Sequence, residues 1–241
     1  MNKVAEAQEI LAEIKQYHPQ SSETHEAEGR LALKKGDLDA AQRHFVEAHR
    51  LTPTSSTLRQ LFNSQIDSGN VKSALTTIGV WILLHPDDMD SRHALAEKLI
   101  SVSEFRSAQL VYAAILKRSP ADPVLFNNLA YVTHRLGGDE AIEFARKAVE
   151  IAPDHAGFLD TYGWILVETG EPEQGLEFLR DAFTRQSTNQ EIRYHIAVAL
   201  VRLERENAAR RELTAALASA NSFPSKPEAL LLLDQLRAAV E

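Results

Sequence analysis

The sequence contains no cysteine, which excludes both a disulfide framework and a thiolate site. Aromatic residues make up only 7% of the 241 residues, so aliphatic side chains and alanine must fill whatever core exists. Positive charge is in deficit: the formal net charge of −8 argues against nucleic acid or an anionic membrane as the main partner, although a local basic patch can survive in an acidic chain. Residues 1–20 hold no apolar run long enough for a signal peptide or a membrane span. No segment is low in complexity or long enough to act as an interdomain linker.

What is present is periodicity. Prolines at 19, 53, 86, 120 and 153 fall 33 or 34 residues apart. A second series keeps the same step: Ala7, Ala41, Ala74, Ala108, Ala141, Gly175 and Ala209. A third consists of Gly36, Gly69, Ser103, Gly137, Gly170 and Glu204. Three series in one register define a repeated helix–turn–helix. The small residue marks where the two helices of a unit approach closely. The third series marks the turn, where the chain needs a left-handed conformation that glycine adopts at least cost. The proline cannot continue a helix and stops the second one.

Chemical motifs are weak. His25-Glu26 begins like a zinc-protease signature, but Gly29 stands where the second histidine would be. The nine histidines show no metal spacing supported by a neighbouring carboxylate, so no metal and no cofactor is expected. Gly137-Gly138 follows no strand and precedes no Lys-Ser/Thr pair, which makes it a helix–helix turn. Glu171 and Glu173 are solvated charge at a helix N-terminus. Arg202, Arg205, Arg210 and Arg211 form a basic cluster, either a solvated outer face or a site for an acidic partner. No catalytic constellation emerges, and the chain is not expected to be an enzyme.

A period of 34 with these signatures resembles the tetratricopeptide repeat family over almost the whole length. The resemblance implies an all-α, right-handed superhelical solenoid, in which each unit packs on its neighbours and a terminal helix caps the stack. The expected units are 22–54, 55–88, 89–122, 123–155, 156–189 and 190–223, all in one domain, with a capping helix in 224–241. Residues 1–21 read as the second helix of a further unit, so the chain is expected to be the C-terminal piece of a longer array. Its open end, covered only by Ile10, Leu11 and Ile14, is expected to fray or to self-associate weakly. A narrower resemblance rests on FNNLAY at 126–131, LDTYGW at 159–164, EIRYHIAVAL at 191–200 and FPSKPEALLLLDQL at 223–236. These blocks are similar to the C-terminal part of repeat lipoproteins that accompany bacterial exosortase (PEP-CTERM) and exopolysaccharide loci. That similarity implies an envelope-associated scaffold in polysaccharide or protein export. The implied location is the periplasm, with the full-length protein an outer-membrane lipoprotein and the cytoplasm as the alternative.

In the tetratricopeptide family the first helix of each unit lines a concave groove. Carried onto this sequence, the groove positions of the last three units include Asn127, Tyr131, His134 and Arg135, then Asp160, Trp164 and Glu168, then Glu191, Tyr194 and Arg202. Earlier units supply Glu23, Glu26, Arg30, Leu33 and Lys34, then Ser56, Arg59, Asn63, Ile66 and Asp67, then Asp90, His93, Glu97, Ile100 and Ser101. Large aromatics occur at these positions only in the C-terminal half. Such a mixed surface suits a peptide or partner protein, with a polysaccharide as the second possibility. The competing reading is that Trp164 and Tyr131 fill the gap between adjacent helices.

Overall fold

The computed structural model describes residues 2–219 and 222–238, with the side chains of residues 2–7 and of Ile10 outside the description. The expectations for Ala7 and Ile10 therefore fall outside the described side chains, and the last three residues expected in the capping helix fall outside the described residues. Fourteen α-helices and no strand occur among the described residues.

The chain divides into two compact units, Met1–Val111 and Tyr112–Glu241. The first contains α1 (Asn2–Tyr17), α2 (Ser22–Lys35), α3 (Leu38–Leu51), α4 (Ser55–Asp67), α5 (Val71–Leu84) and α6 (Met89–Ser101). The boundary falls within α7 (Phe105–Leu116). The second holds α8 (Pro123–Arg135), α9 (Ala141–Ile151), α10 (Ala156–Glu168), α11 (Pro172–Arg185), α12 (Gln190–Arg202), α13 (Glu206–Leu217) and α14 (Lys226–Ala238). Within each unit, helices pack in pairs: α2 on α3 and α4 on α5, then α8 on α9, α10 on α11 and α12 on α13. First helices of successive pairs also touch, α4 with α6, and α10 with both α8 and α12.

The three sequence series map onto this geometry. All six turn positions have positive φ, including Ser103 at 62° and Glu204 at 58°, neither of them glycine. Residues with a Cβ occupy this region at a cost, so the repeat imposes the conformation rather than local preference. Ala41, Ala74, Ala108, Ala141 and Ala209 are all buried. The closest approach is between α10 and α11. A Cβ added to Gly175 would stand 2.6 Å from the Gly163 carbonyl oxygen, and one added to Gly163 would stand 2.8 Å from the Gly175 carbonyl oxygen. Each proline of the series follows a helix end by a few residues. In the second unit, Leu233, Leu236 and Ala229 of α14 join Leu213, Ala216 and Leu200 in one buried cluster, so α14 covers α13.

One side chain fastens three helices of the first unit. Asp88 caps α6, accepting from the Ser91 N–H and hydroxyl at 3.1 and 2.7 Å. It also accepts from Ser55 of α4 at 2.8 Å and from the Trp81 indole of α5 at 2.7 Å. Burial pushes the Asp88 carboxyl upward, but hydrogen bonds from Ser91, Ser55 and Trp81 together outweigh it and hold the group at about 2. Because the folded value lies below the unfolded value of about 3.9, the contribution to stability is fully present above that pH and is lost as pH falls toward 2. Chemical denaturation of Asp88→Asn should show a clear loss of stability at pH 7 and a smaller one at pH 3. Equal losses at both values would show that the carboxylate charge plays no part.

Candidate functional site

Three helices bring the groove positions of the second unit together. Asp122 caps α8 by accepting from the Val124 N–H at 2.9 Å, and Pro123 suits its first turn. Asn189 caps α12 in the same way through Glu191 N–H at 3.0 Å. On α10, Asp160, Trp164 and Glu168 recur every four residues and so share one face. Tyr131 and Arg135 do the same at the end of α8, as do Glu191 and His195 on α12.

These faces line a cleft of about 550 Å³, completed by Pro224 and Ser225 from the segment before α14. Of the groove residues expected from the sequence, Tyr131, His134, Arg135, Asp160, Trp164, Glu168 and Glu191 line it. Asn127, Tyr194 and Arg202 do not. Tyr194 lies beside the cleft, its ring 6.4 Å from that of Trp164, and packs against the cluster that α14 covers. Arg202 is exposed and approaches Glu168 at 3.8 Å. Sequence reasoning did not single out Thr161, His195 or the Pro224-Ser225 pair, which the cleft includes.

His195 organises the floor. Its Nδ1 lies 2.7 Å from Asp160, its Nε2 lies 3.7 Å from Glu191, and its ring stacks on Trp164 at 4.3 Å between centroids. Glu191 in turn accepts from the Ser225 hydroxyl at 2.6 Å and the Ser225 N–H at 3.0 Å. At the rim, Arg135 donates to the Tyr131 hydroxyl at 3.1 Å. Burial, against the pull of Glu168, holds the His134 imidazole below its usual value, so that ring is neutral at pH 7. The lining thus contains three carboxylates, Asp160, Glu168 and Glu191, against the single guanidinium of Arg135. Trp164 is half-buried, with one face on His195. That arrangement joins the two readings of this residue: it fills a gap between α10 and α12 and still faces the cleft.

The first unit has a narrower cleft of about 320 Å³ between α4 and α6. Its lining includes Arg59, Asn63, Glu97 and Ser101, four of the expected groove positions of those repeats, over an apolar floor of Leu58, Phe62 and Leu95, while Ser56, Ile66, Asp67, Asp90, His93 and Ile100 do not line it. The first unit also overturns the expectation that no carboxylate supports a histidine pair. Nδ1 of His25 and Nδ1 of His44 lie 3.4 and 3.1 Å from the same oxygen of Glu28. The sequence hid this because the second histidine comes from the neighbouring helix rather than from the same turn.

The comparisons with known proteins agree with the architecture. No family model matches the chain. It is 27% identical over 157 residues to a bovine (Bos taurus) protein, BBSome complex member BBS4, and 27% identical over 162 residues to the TPR repeat-containing protein PA4667 of Pseudomonas aeruginosa. Each match covers 64% of this chain; they span only 30% and 27% of those proteins' own lengths. Among solved structures, a tetratricopeptide repeat protein from Parabacteroides merdae superposes with a TM-score of 0.72 at 15% identity, covering 91% of this chain and 87% of that one. YrrB, described as a TPR protein with an unusual peptide-binding site, gives 0.56 at 15% identity, covering 80% and 97%. The fold is that of the tetratricopeptide solenoids.

Proposed function

We propose that this chain is a non-catalytic interaction scaffold whose cleft over α8, α10 and α12 holds an extended peptide segment of a partner protein. The observation that carries the proposal is the floor itself, an indole set one helical turn from a carboxylate on either side. Aromatic anchors of this kind supply most of the binding energy at protein interfaces, and the surplus of carboxylates selects a segment bearing lysine or arginine. The unusual peptide-binding site for which YrrB is described supports peptide recognition by this architecture. A non-catalytic reading is supported by the engagement of His195, whose two ring nitrogens face Asp160 and Glu191 and whose ring is stacked. An envelope setting, in polysaccharide or surface-protein export and in the periplasm, is supported by the resemblance of the FNNLAY, LDTYGW and FPSKPEALLLLDQL blocks. Exopolysaccharide is the second ligand class, because an indole beside carboxylates also suits sugars.

The test is to pan a peptide-display library and a panel of polysaccharide oligomers against the purified chain. Enriched peptides should carry a basic residue next to an apolar one, and their affinity should fall with salt. Enrichment of oligosaccharides alone would replace the peptide reading with the glycan one. Peptides that bind equally well to Asp160→Asn would remove the cleft as their site.

A further inference from the structure

The pair α2–α3 carries a cluster unrelated to the cleft. His25 and Glu28 lie three residues apart on one face of α2, and His44 faces them from α3. Nδ1 of His25 and Nδ1 of His44 are 3.4 Å apart, and each lies within 3.4 Å of Oε2 of Glu28. Three donors held tetrahedrally around zinc, at the ~2.0–2.1 Å of zinc–nitrogen bonds, sit about 3.3–3.4 Å from one another. The observed separations of 3.1, 3.4 and 3.4 Å therefore already match the edges of such a tetrahedron.

We propose that His25, Glu28 and His44 bind a first-row transition-metal dication, Zn²⁺ foremost, with the fourth coordination position open. The donor chemistry fits: two imidazoles and a carboxylate suit zinc and its neighbours rather than calcium or magnesium. The carboxylate is also oriented from outside the cluster. Lys15 of α1 holds Oε1 of Glu28 at 2.5 Å, which leaves Oε2 turned toward the histidines. Such orientation by a neighbour is what ligating carboxylates require. Side-chain exposures of 14% for His25, 15% for Glu28 and 32% for His44 give two sheltered ligands and one accessible from solvent, an entry path for the ion. His44 is pushed below the usual imidazole value by burial first, then by His25, Lys15 and Arg43, against the pull of Glu28. Nε2 of His25 is buried without a hydrogen-bond partner, so that ring lacks the outer contact that tightens many metal sites.

The ion would bridge α2 and α3, adding to the contacts of that pair and raising its stability by mass action. The test is titration of the chain, first stripped with a chelator, with Zn²⁺ alone against a competing chromophoric chelator at pH 7.4. One Zn²⁺ per chain is expected, with affinity falling at least tenfold in His44→Ala, His25→Ala and Glu28→Gln and unchanged in His18→Ala, an exposed histidine outside the cluster. Co²⁺ should give visible absorption bands that disappear in the same three variants. Circular dichroism without metal keeps the variants comparable. If one of the alanine variants loses helicity, the isosteric Glu28→Gln carries the comparison. Zn²⁺ affinity that is absent in the native chain, or unchanged by Glu28→Gln and either histidine substitution, would overturn the assignment and leave the cluster as a hydrogen-bonded group centred on Glu28.

Discussion

Gly175→Val should destabilise the second unit by about 3 kcal/mol or more. At most positions inside a helix, replacing glycine raises stability, by about 1 kcal/mol for alanine. Here the sign reverses because, beside the Val167 Cγ2 methyl at 2.6 Å, two of the atoms in the way are backbone. The Gly163 carbonyl oxygen at 2.6 Å and the Val167 amide nitrogen at 3.0 Å cannot rotate aside as a side chain would. The helices would have to separate, opening the contacts of Leu166, Leu176 and Leu179 that close around them. Gly175→Ala should already cost stability despite its better helix propensity, and Gly163→Ala should behave alike. Gln174→Val, one residue away on the exposed side, should change little. Thermal unfolding of the four variants decides the matter, and a Gly175→Val chain as stable as Gln174→Val would show that the pair is not in contact as described.

Trp164→Ala should reduce binding of peptides selected on the native chain by ~30-fold or more, corresponding to a hot-spot loss of ~2 kcal/mol. The indole reaches the cleft from the middle of α10, and its stacking on His195 at 4.3 Å fixes its orientation before any ligand arrives. A preorganised ring loses little freedom on binding, which concentrates energy at that residue. Trp164→Phe keeps a ring against His195 and should retain part of the affinity. His195→Ala should weaken binding indirectly by freeing the indole. Helicity should be unchanged in Trp164→Ala, since the residue is only half-buried. If Trp164→Ala unfolds while Trp164→Phe binds normally, the ring is packing and the ligand lies elsewhere.

Much of the fold was legible because a repeat supplies its own internal check. Ser103 and Glu204 would not suggest left-handed turns by residue type, yet the register assigns them that role and both adopt it. Gly163 was less visible: the series marks only the second helix of a pair, and the partner that allows Gly175 to approach lies on the first. At the cleft, seven of the groove positions converge because α8, α10 and the start of α12 present the expected faces. On α12 the expected Glu191 is joined by His195, one residue past Tyr194, which turns toward the cluster under α14. Ser225 belongs to no repeat, and no periodic signal could have found it. The histidine cluster had a signal that a motif search does not use. Glu28 and His44 lie eight residues on either side of Gly36, and two antiparallel helices bring positions equidistant from their turn side by side.

The junction at Asp88 has a consequence for how that part of the chain tolerates change. Oδ2 receives Ser55, Trp81 and Ser91 at once, while Oδ1 receives the Ser91 amide. A carboxylate offers about four lone-pair sites, so no single donor is indispensable. Loss of one leaves the others to satisfy the charge, and the cost is small. Loss of a second strands part of it, and the penalty grows faster than the sum of the separate changes. The three donated hydrogen bonds are therefore buffered singly and interdependent in combination, whereas removing the buried Trp81 ring itself would also open a cavity. The connection among the three helices is redundant up to a threshold and brittle beyond it.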